Sequence, residues 1–332
     1  MKINILLPYK EKFDLNKASS VSITIKNNLF HTRFLKDIKI FGRDVEKPLF
    51  RDNFVGIKYS YLSLKSKNNF LASEMLKVIS KENDSNQLIE IHNRPYLINQ
   101  IEKKIKIPIS LFCHNDPQTM KGSKSIKDRE NILKKCVAVF CVSEYIKNQF
   151  IDGVSFNKEK VHVLHNGVDK TLEKFPTKKK EILFVGRLVP EKGVHYYVSA
   201  AKLISPNKKD WNFGLIGSYR LGDSKNENSY ANKIVREFKS IGQNAKFYGF
   251  QSQEFVKEKM KTASIIVIPS IWEEPFGLVA AEAMSNGICI VASEVGGIPE
   301  IIRDNGVLIK NINFQKIKKN LIELINDDEL RN

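Results

Sequence analysis

The sequence predicts an α/β protein made of two Rossmann-like domains that face each other across a cleft. Two observations carry this reading. Short apolar runs alternate with amphipathic stretches along the whole chain, the pattern of parallel strands and covering helices. The alternation also restarts after a polar segment near the middle, Lys170–Lys180, which holds Pro176 and no hydrophobic period. A chain of 332 residues is long enough for two domains of ordinary size. The domains are therefore placed at 1–170 and 171–332.

In the first domain, strands are expected at Ile3–Leu7, Leu88–Ile91, Ile109–Cys113, Val137–Val142 and Val161–Leu164, with a helix at Lys124–Leu133. The stretch from about Ile23 to Leu64 is less regular and reads as β-hairpins or loops. In the second domain, strands are expected at Ile182–Val185, Phe213–Ile216, Lys246–Tyr248, Ile265–Ile268 and Ile288–Val291. Helices are expected between and after them, at Val194–Leu203, Ala231–Ile241, Ser252–Met260, Gly277–Ser285 and Phe314–Ile325.

Composition narrows the class. Hydrophobic residues make up 42% of the chain, and no apolar run approaches the ~18 residues that span a bilayer. The apolar part of Met1–Pro8 is too short for a signal peptide and reads as a first strand, so a cytoplasmic location is expected. Cys113, Cys136, Cys141 and Cys289 form no CxxC pair and read as small buried hydrophobes. The net charge of +17 has three readings: an anionic membrane surface, nucleic acid, or the lysine-rich bias of an AT-rich genome. No nucleic-acid-binding motif accompanies it.

Two strand-end loops carry the chemistry. In Glu274-Pro-Phe-Gly-Leu-Val-Ala-Ala-Glu282, Pro275 suits a first helical turn, and Glu274 sits in the loop before it. At ~1.5 Å rise per residue, Glu282 lies about 12 Å further along. Two carboxylates so placed can hold the ends of one elongated ligand, and the N–H groups of Phe276 and Gly277 would then meet negative charge at its middle. That description fits a nucleotide-diphosphate sugar. The second loop is Gly186-Arg-Leu-Val-Pro-Glu-Lys-Gly193, where Arg187 and Lys192 are placed so that they can flank a pyrophosphate. No Asp-x-Asp stands at a strand end, so no metal is expected.

These motifs resemble the signatures of the retaining GT-B-fold glycosyltransferases of family 4, the group that includes lipopolysaccharide and glycolipid enzymes. The Asn-Gly-Val-Asp turn beginning at Asn166 and the Ser-Glu element in Cys141-Val-Ser-Glu-Tyr145 resemble the same family. The resemblance implies a first domain on the acceptor side and a second that binds the nucleotide sugar. It implies that Arg187 and Lys192 hold the diphosphate and that Glu274 contacts sugar hydroxyls. Phe276, Gly277, Leu278 and Val279 would lie near sugar and phosphate, Gly186 would end the phosphate loop's strand, and Glu282 would bond the ribose. The turn Tyr248-Gly249-Phe250 would lie against the base. His114 resembles the family's histidine beside the reacting sugar. His92, also at a strand end, would touch acceptor or donor.

The family's glycine pair in the first strand–helix loop is missing here. Ser19 and Ser20 stand in that region and offer hydroxyls and helix-start N–H groups. The chain also stops before the helices with which the family normally continues. The expected activity is sugar transfer with retention, without cofactor or metal, onto a glycan or lipid-linked acceptor such as a lipopolysaccharide-core precursor. The expected place is the cytoplasm or the inner face of the membrane, with no nucleic-acid partner. Two alternatives stay open: a GT-B-shaped epimerase or phosphorylase, and an inactive nucleotide-sugar-binding protein.

Overall fold

The structure, a computed structural model, describes residues 1–15, 18–82, 84–169, 176–219 and 229–331. It divides into two compact units, Met1–Gly167 and Val168–Asn332. The proposed linker lies partly outside the described residues, and its last two residues already belong to a strand.

The amino-terminal unit holds β1 (Lys2–Leu6), β2 (Ile38–Arg43), β3 (Phe54–Ile57), β4 (Gln87–His92), β5 (Ile109–Cys113), β6 (Ala138–Cys141) and β7 (Val161–Val163). They form one sheet in the order β3-β2-β1-β4-β5-β6-β7, with every neighbour parallel. The β-hairpins expected before Leu64 are therefore a misreading. β2 and β3 run parallel, with Ile40 opposite Phe54. A parallel pair needs a crossover, and residues 44–53 make it without a helix. That crossover stays closed because Leu49 and Phe50 pack on the core around Phe13. β1 and β2 are joined through a helix, Ser20–Phe30.

The carboxy-terminal unit holds β8 (Lys179–Val185), β9 (Asn212–Ile216), β10 (Ala245–Gly249), β11 (Ala263–Ile268), β12 (Cys289–Ser293) and β13 (Val307–Ile309). Their order is β10-β9-β8-β11-β12-β13, again all parallel. Side chains alternate across the two faces of the sheet. Ile182 and Phe184 enter one core with Tyr197 and Leu321, whereas Leu183 enters another with Ala280 and Ile302. Burial on both faces explains why β11 is an unbroken apolar run.

In each sheet the strand order reverses once, between β1 and β4 and between β8 and β11. Open parallel sheets bind ligands outside the carboxyl ends of the strands at such a reversal. Among the described residues, no helix is long and apolar enough to cross a membrane.

Candidate functional site

The loops after β8 and β11 flank the reversal of the carboxy-terminal sheet and are fastened to each other. After β8, Leu188 and Val189 are buried and Arg187 between Gly186 and Leu188 is exposed. A single 3-10 turn, Pro190–Lys192, ends at Gly193 with φ of 62°. A Cβ on Gly193 would stand 1.8 Å from the Pro269 carbonyl oxygen, so only glycine allows the two loops to approach this closely. Ile271 N–H also donates to the Glu191 carbonyl at 2.9 Å.

This fastening places the Lys192 ammonium on the Glu274 carboxylate. The same Glu274 Oε1 accepts from Ser270 Oγ at 2.6 Å. Glu274 is only 7% exposed, so both partners offset the cost of keeping its charge from water. Lys192 Nζ lies 5.6 Å from the centre of the exposed Trp272 ring. Arg187 has no hydrogen-bond or ion-pair partner among the described residues. It lines a cavity of about 630 Å³ with Val189, Pro190, Glu191, Tyr219, Ser229 and Tyr230.

Pro275 does not occupy the first helical turn. The helix begins later, at Leu278, after Gly277 with φ of 94°. The preceding segment is instead held from the side. Gly297 N–H donates to the Glu274 carbonyl at 2.7 Å, and a Cβ on Gly296 would come within 2.1 Å of that oxygen. Phe276 is buried, while Leu278 and Val279 are half-buried. On this helix, Glu282 is half-buried, and its carboxylate has no partner among the described residues. Burial pushes its pKa up to about 7. A desolvated carboxylate without a partner, beside a ligand-binding reversal, is a binding-site candidate in its own right.

In the amino-terminal unit, His92 ends β4 and His114 directly follows β5. Their rings stack on Phe112 at 5.0 and 4.6 Å, and His92 Nδ1 lies 2.7 Å from His114 Nε2. His92 Nε2 is 2.8 Å from Glu90 Oε1. Burial, with His92 adding a smaller push, holds the pKa of His114 well below the usual imidazole range. Glu90 was not singled out in the sequence. The period of two that puts residues 90 and 92 on one face of a strand was the available signal.

Ser19 precedes the helix Ser20–Phe30 without capping it. Its hydroxyl is bonded to the Glu11 carboxylate and to Ser22 Oγ at 3.2 Å, so it is already committed within its own loop. Ser20 is exposed. The Asn166–Gly167 turn is tied to that helix: Asn27 Nδ2 donates to the Gly167 carbonyl at 3.1 Å, and Gly167 N–H to Asn28 Oδ1 at 3.0 Å. Asn166 Oδ1 is sealed from solvent and has no hydrogen-bond partner among the described residues.

Residues 169–332 match the family described as Glycosyl transferases group 1, and residues 37–172 match Glycosyltransferase Family 4. The chain belongs to the group 1 glycosyltransferases. It is 34% identical over 237 residues to the uncharacterized glycosyltransferase MJ1178 of Methanocaldococcus jannaschii, covering 70% of this chain and 62% of that protein. It is 29% identical over 123 residues to the lipopolysaccharide 1,2-N-acetylglucosaminetransferase of Salmonella typhimurium, covering 37% of this chain and 32% of that one. The crystal structure of HepE from Anabaena in complex with UDP-glucose matches with a TM-score of 0.73 at 18% identity, over 100% of this chain and 91% of HepE. The fold is therefore GT-B.

In this group 1 chain the stretch Tyr248–Phe250, at the end of β10, offers less than its sequence promised. The Tyr248 hydroxyl lies 3.2 Å from the buried Glu181 carboxylate, which also holds Lys259 at 2.6 Å. That carboxylate needs both partners, and Lys259 covers the Tyr248 ring at 4.7 Å. Gly249 takes φ of 70°, and Phe250 is 45% exposed. An exposed ring and open backbone are what this turn presents.

Proposed function

We propose that the protein is a retaining glycosyltransferase that moves a sugar from a nucleotide-diphosphate sugar to a hydroxyl acceptor without a divalent metal. One observation carries this reading. At the reversal between β8 and β11, an uncommitted cation, Arg187, and an unpartnered, desolvated carboxylate, Glu282, bracket the tied Lys192–Glu274 pair. Arg187 and Lys192 suit the diphosphate, and their charge stabilises it as it leaves. Glu274 suits sugar hydroxyls, Glu282 the ribose, and Phe250 the face of the base. HepE, of the same fold, was solved with UDP-glucose bound. The test is thermal stabilisation by UDP, GDP, ADP and their sugars, followed by transfer assays in EDTA. A donor at 100 times its dissociation constant adds about 2.7 kcal/mol. No stabilisation by any of them, or transfer abolished by EDTA and restored by manganese, would count against the reading.

Glu282 links this function to pH. The folded chain holds the Glu282 proton more tightly than the unfolded chain, whose value is near the ordinary 4.5. The residue thus costs nothing below about pH 4.5, and its cost grows as pH rises to about 7 and levels off above. At ~1.4 kcal/mol per pKa unit the cost reaches at most about 3 kcal/mol. Glu282→Gln is expected to raise the melting temperature at pH 8 but not at pH 4.5. It is also expected to weaken donor binding roughly 10–100-fold through loss of a charged hydrogen bond. Equal melting shifts at both pH values would sink the account.

The proposed acceptor is a lipid-linked or lipopolysaccharide-core precursor at an anionic membrane face. Not every cation of the basic segment Lys121–Arg129 is free to meet such a surface. Arg129 is 2% exposed and donates to the carbonyls of Ser123, Lys124 and Asp152. A stronger feature lies after β3. Tyr61, Leu62 and Leu64 are 91%, 95% and 105% exposed, among the exposed Lys58, Lys65 and Lys67. The turn is ordered: Ser63 N–H donates to the Ser60 carbonyl at 3.0 Å, and the Tyr59 hydroxyl donates to the Lys65 carbonyl at 3.0 Å. Apolar tips ringed by ammonium groups suit shallow entry into an anionic bilayer. The protein should co-sediment with anionic vesicles at low salt, and Leu62→Asp with Leu64→Asp should abolish this. Equal binding by the double variant would exclude this turn.

A further inference from the structure

We infer that Trp272 is a wall of the sugar subsite: its indole ring takes the C–H face of a neutral donor sugar whose phosphate meets Lys192 and whose hydroxyls meet Glu274. This deepens the proposed function and rests on it.

Apolar side chains at a strand end are normally drawn into the core, and those on either side of this loop are. Ile268 and Phe276 are 8% and 4% exposed. Trp272 and its neighbour Ile271 are 39% and 47% exposed. The backbone that presents the ring is fastened on both sides of it. Ile271 N–H donates to the Glu191 carbonyl at 2.9 Å, and the Glu273 carboxylate accepts from Gly296 N–H. One residue further out on each side, Ser270 and Glu274 are buried and bonded to each other. The indole N–H has no partner among the described residues. A fixed aromatic face with an unused donor at its edge matches a sugar ring, which has C–H groups on its face and hydroxyls at its rim.

Three chemically different groups converge here. Lys192 Nζ lies 5.6 Å from the centre of the Trp272 ring and rests on the Glu274 carboxylate. The ammonium suits phosphate, the carboxylate accepts from hydroxyls, and the ring covers C–H groups. A glycosyl phosphate carries all three surfaces within one small group. The Glu274 charge also turns away an acidic sugar. The other flat group of such a donor is its base, which a ribose and a second phosphate separate from the phosphate beside the sugar. A ring this near the ammonium is therefore within reach of the sugar and not of the base. Phe250 directly follows β10 and Trp272 follows β11, with β9 and β8 between those strands. At ~4.8 Å per strand the two rings stand roughly 14 Å apart, so one base cannot lie on both.

The experiment is acrylamide quenching of tryptophan emission from the full chain. The chain has two tryptophans, and Trp211 is 2% exposed, so the quencher reads Trp272. UDP-glucose, GDP-mannose and ADP-glucose are each compared with their own nucleoside diphosphate, and a thermal melt reports which of them bind. A nucleotide sugar that raises the melting temperature should shield Trp272. Its nucleoside diphosphate, which only draws Lys192 off the ring, should not. Trp272→Ala should weaken that nucleotide sugar roughly tenfold, about the contribution of one aromatic stack, and leave the diphosphate's affinity unchanged. Trp272→Phe should restore most of the loss. Equal shielding by the diphosphate would put the nucleotide on the ring and overturn the inference. So would a nucleotide sugar that binds and leaves the quenching unchanged. If none of these compounds raises the melting temperature, the proposed function falls and the inference falls with it. The melt thus tells the two failures apart.

Discussion

Arg187→Ala is expected to lower transfer about 10²–10³-fold with an unchanged melting temperature, whereas Lys192→Ala lowers both activity and stability. The two cations share a loop but not a situation. Arg187 is exposed and unpaired among the described residues, so its removal strands nothing. Lys192 neutralises Glu274, whose side chain is 9% exposed. Without the ammonium, that carboxylate keeps only Ser270. Breaking a fully buried pair costs ~3–5 kcal/mol. Lys192 retains 23% exposure, so water reaches the site and a loss of about 2–3 kcal/mol is expected. Single-turnover rates and thermal melts of both variants check this. Near-normal turnover in both would remove the loop from the active site. An unchanged melt for Lys192→Ala would mean the pair contributes nothing to the fold.

Gly193→Ala should rank with Gly217→Ala among the most damaging methyl groups in the carboxy-terminal unit, since each added carbon would stand 1.8 Å from a backbone carbonyl oxygen, and should cost at least about 3 kcal/mol. Alanine at φ of 62° carries ~1–2 kcal/mol of strain by itself. The added carbon would also stand 1.8 Å from the Pro269 carbonyl oxygen, which forces the β8 and β11 loops apart. That separation pulls Lys192 off Glu274, so activity should vanish with stability. Gly186→Ala is the control. Its nearest neighbours are Phe184 ring atoms at 3.5 Å, an ordinary contact. A urea midpoint for Gly193→Ala equal to that of Gly186→Ala would show that the loops do not meet as described.

What the sequence revealed and what it hid divide along a physical line. β5 and β11 were legible because a strand buried on both faces is an unbroken apolar run. β2 was not, because Lys39 and Arg43 interrupt its apolar pattern, and β3 is only four residues long. The loops after β8 and β11 were legible as separate motifs. That Lys192 rests on Glu274 was not, since the contact depends on which strands are neighbours. Tyr248 was legible as a turn aromatic, but its tie to Glu181 depends on a charge buried at the far end of β8. Glu90 escaped notice because one acidic residue in a strand carries no signal until the register sets its partners.

The Lys192–Glu274 pair has a kinetic consequence under the proposed function. Glu274 stands against Lys192 in the place where the proposed function puts a phosphate group. An incoming phosphate group alone must compete with a carboxylate already in place, so inorganic phosphate gains little there. A nucleotide sugar presents phosphate to the ammonium and hydroxyls to the carboxylate together, and so compensates both partners for parting. After transfer the sugar is gone and only the nucleotide remains. Glu274 then has nothing to hold but Lys192 and Ser270, and the returning ion pair helps expel the spent nucleotide. The contact that ties the two loops together would thus also shorten the stay of the product.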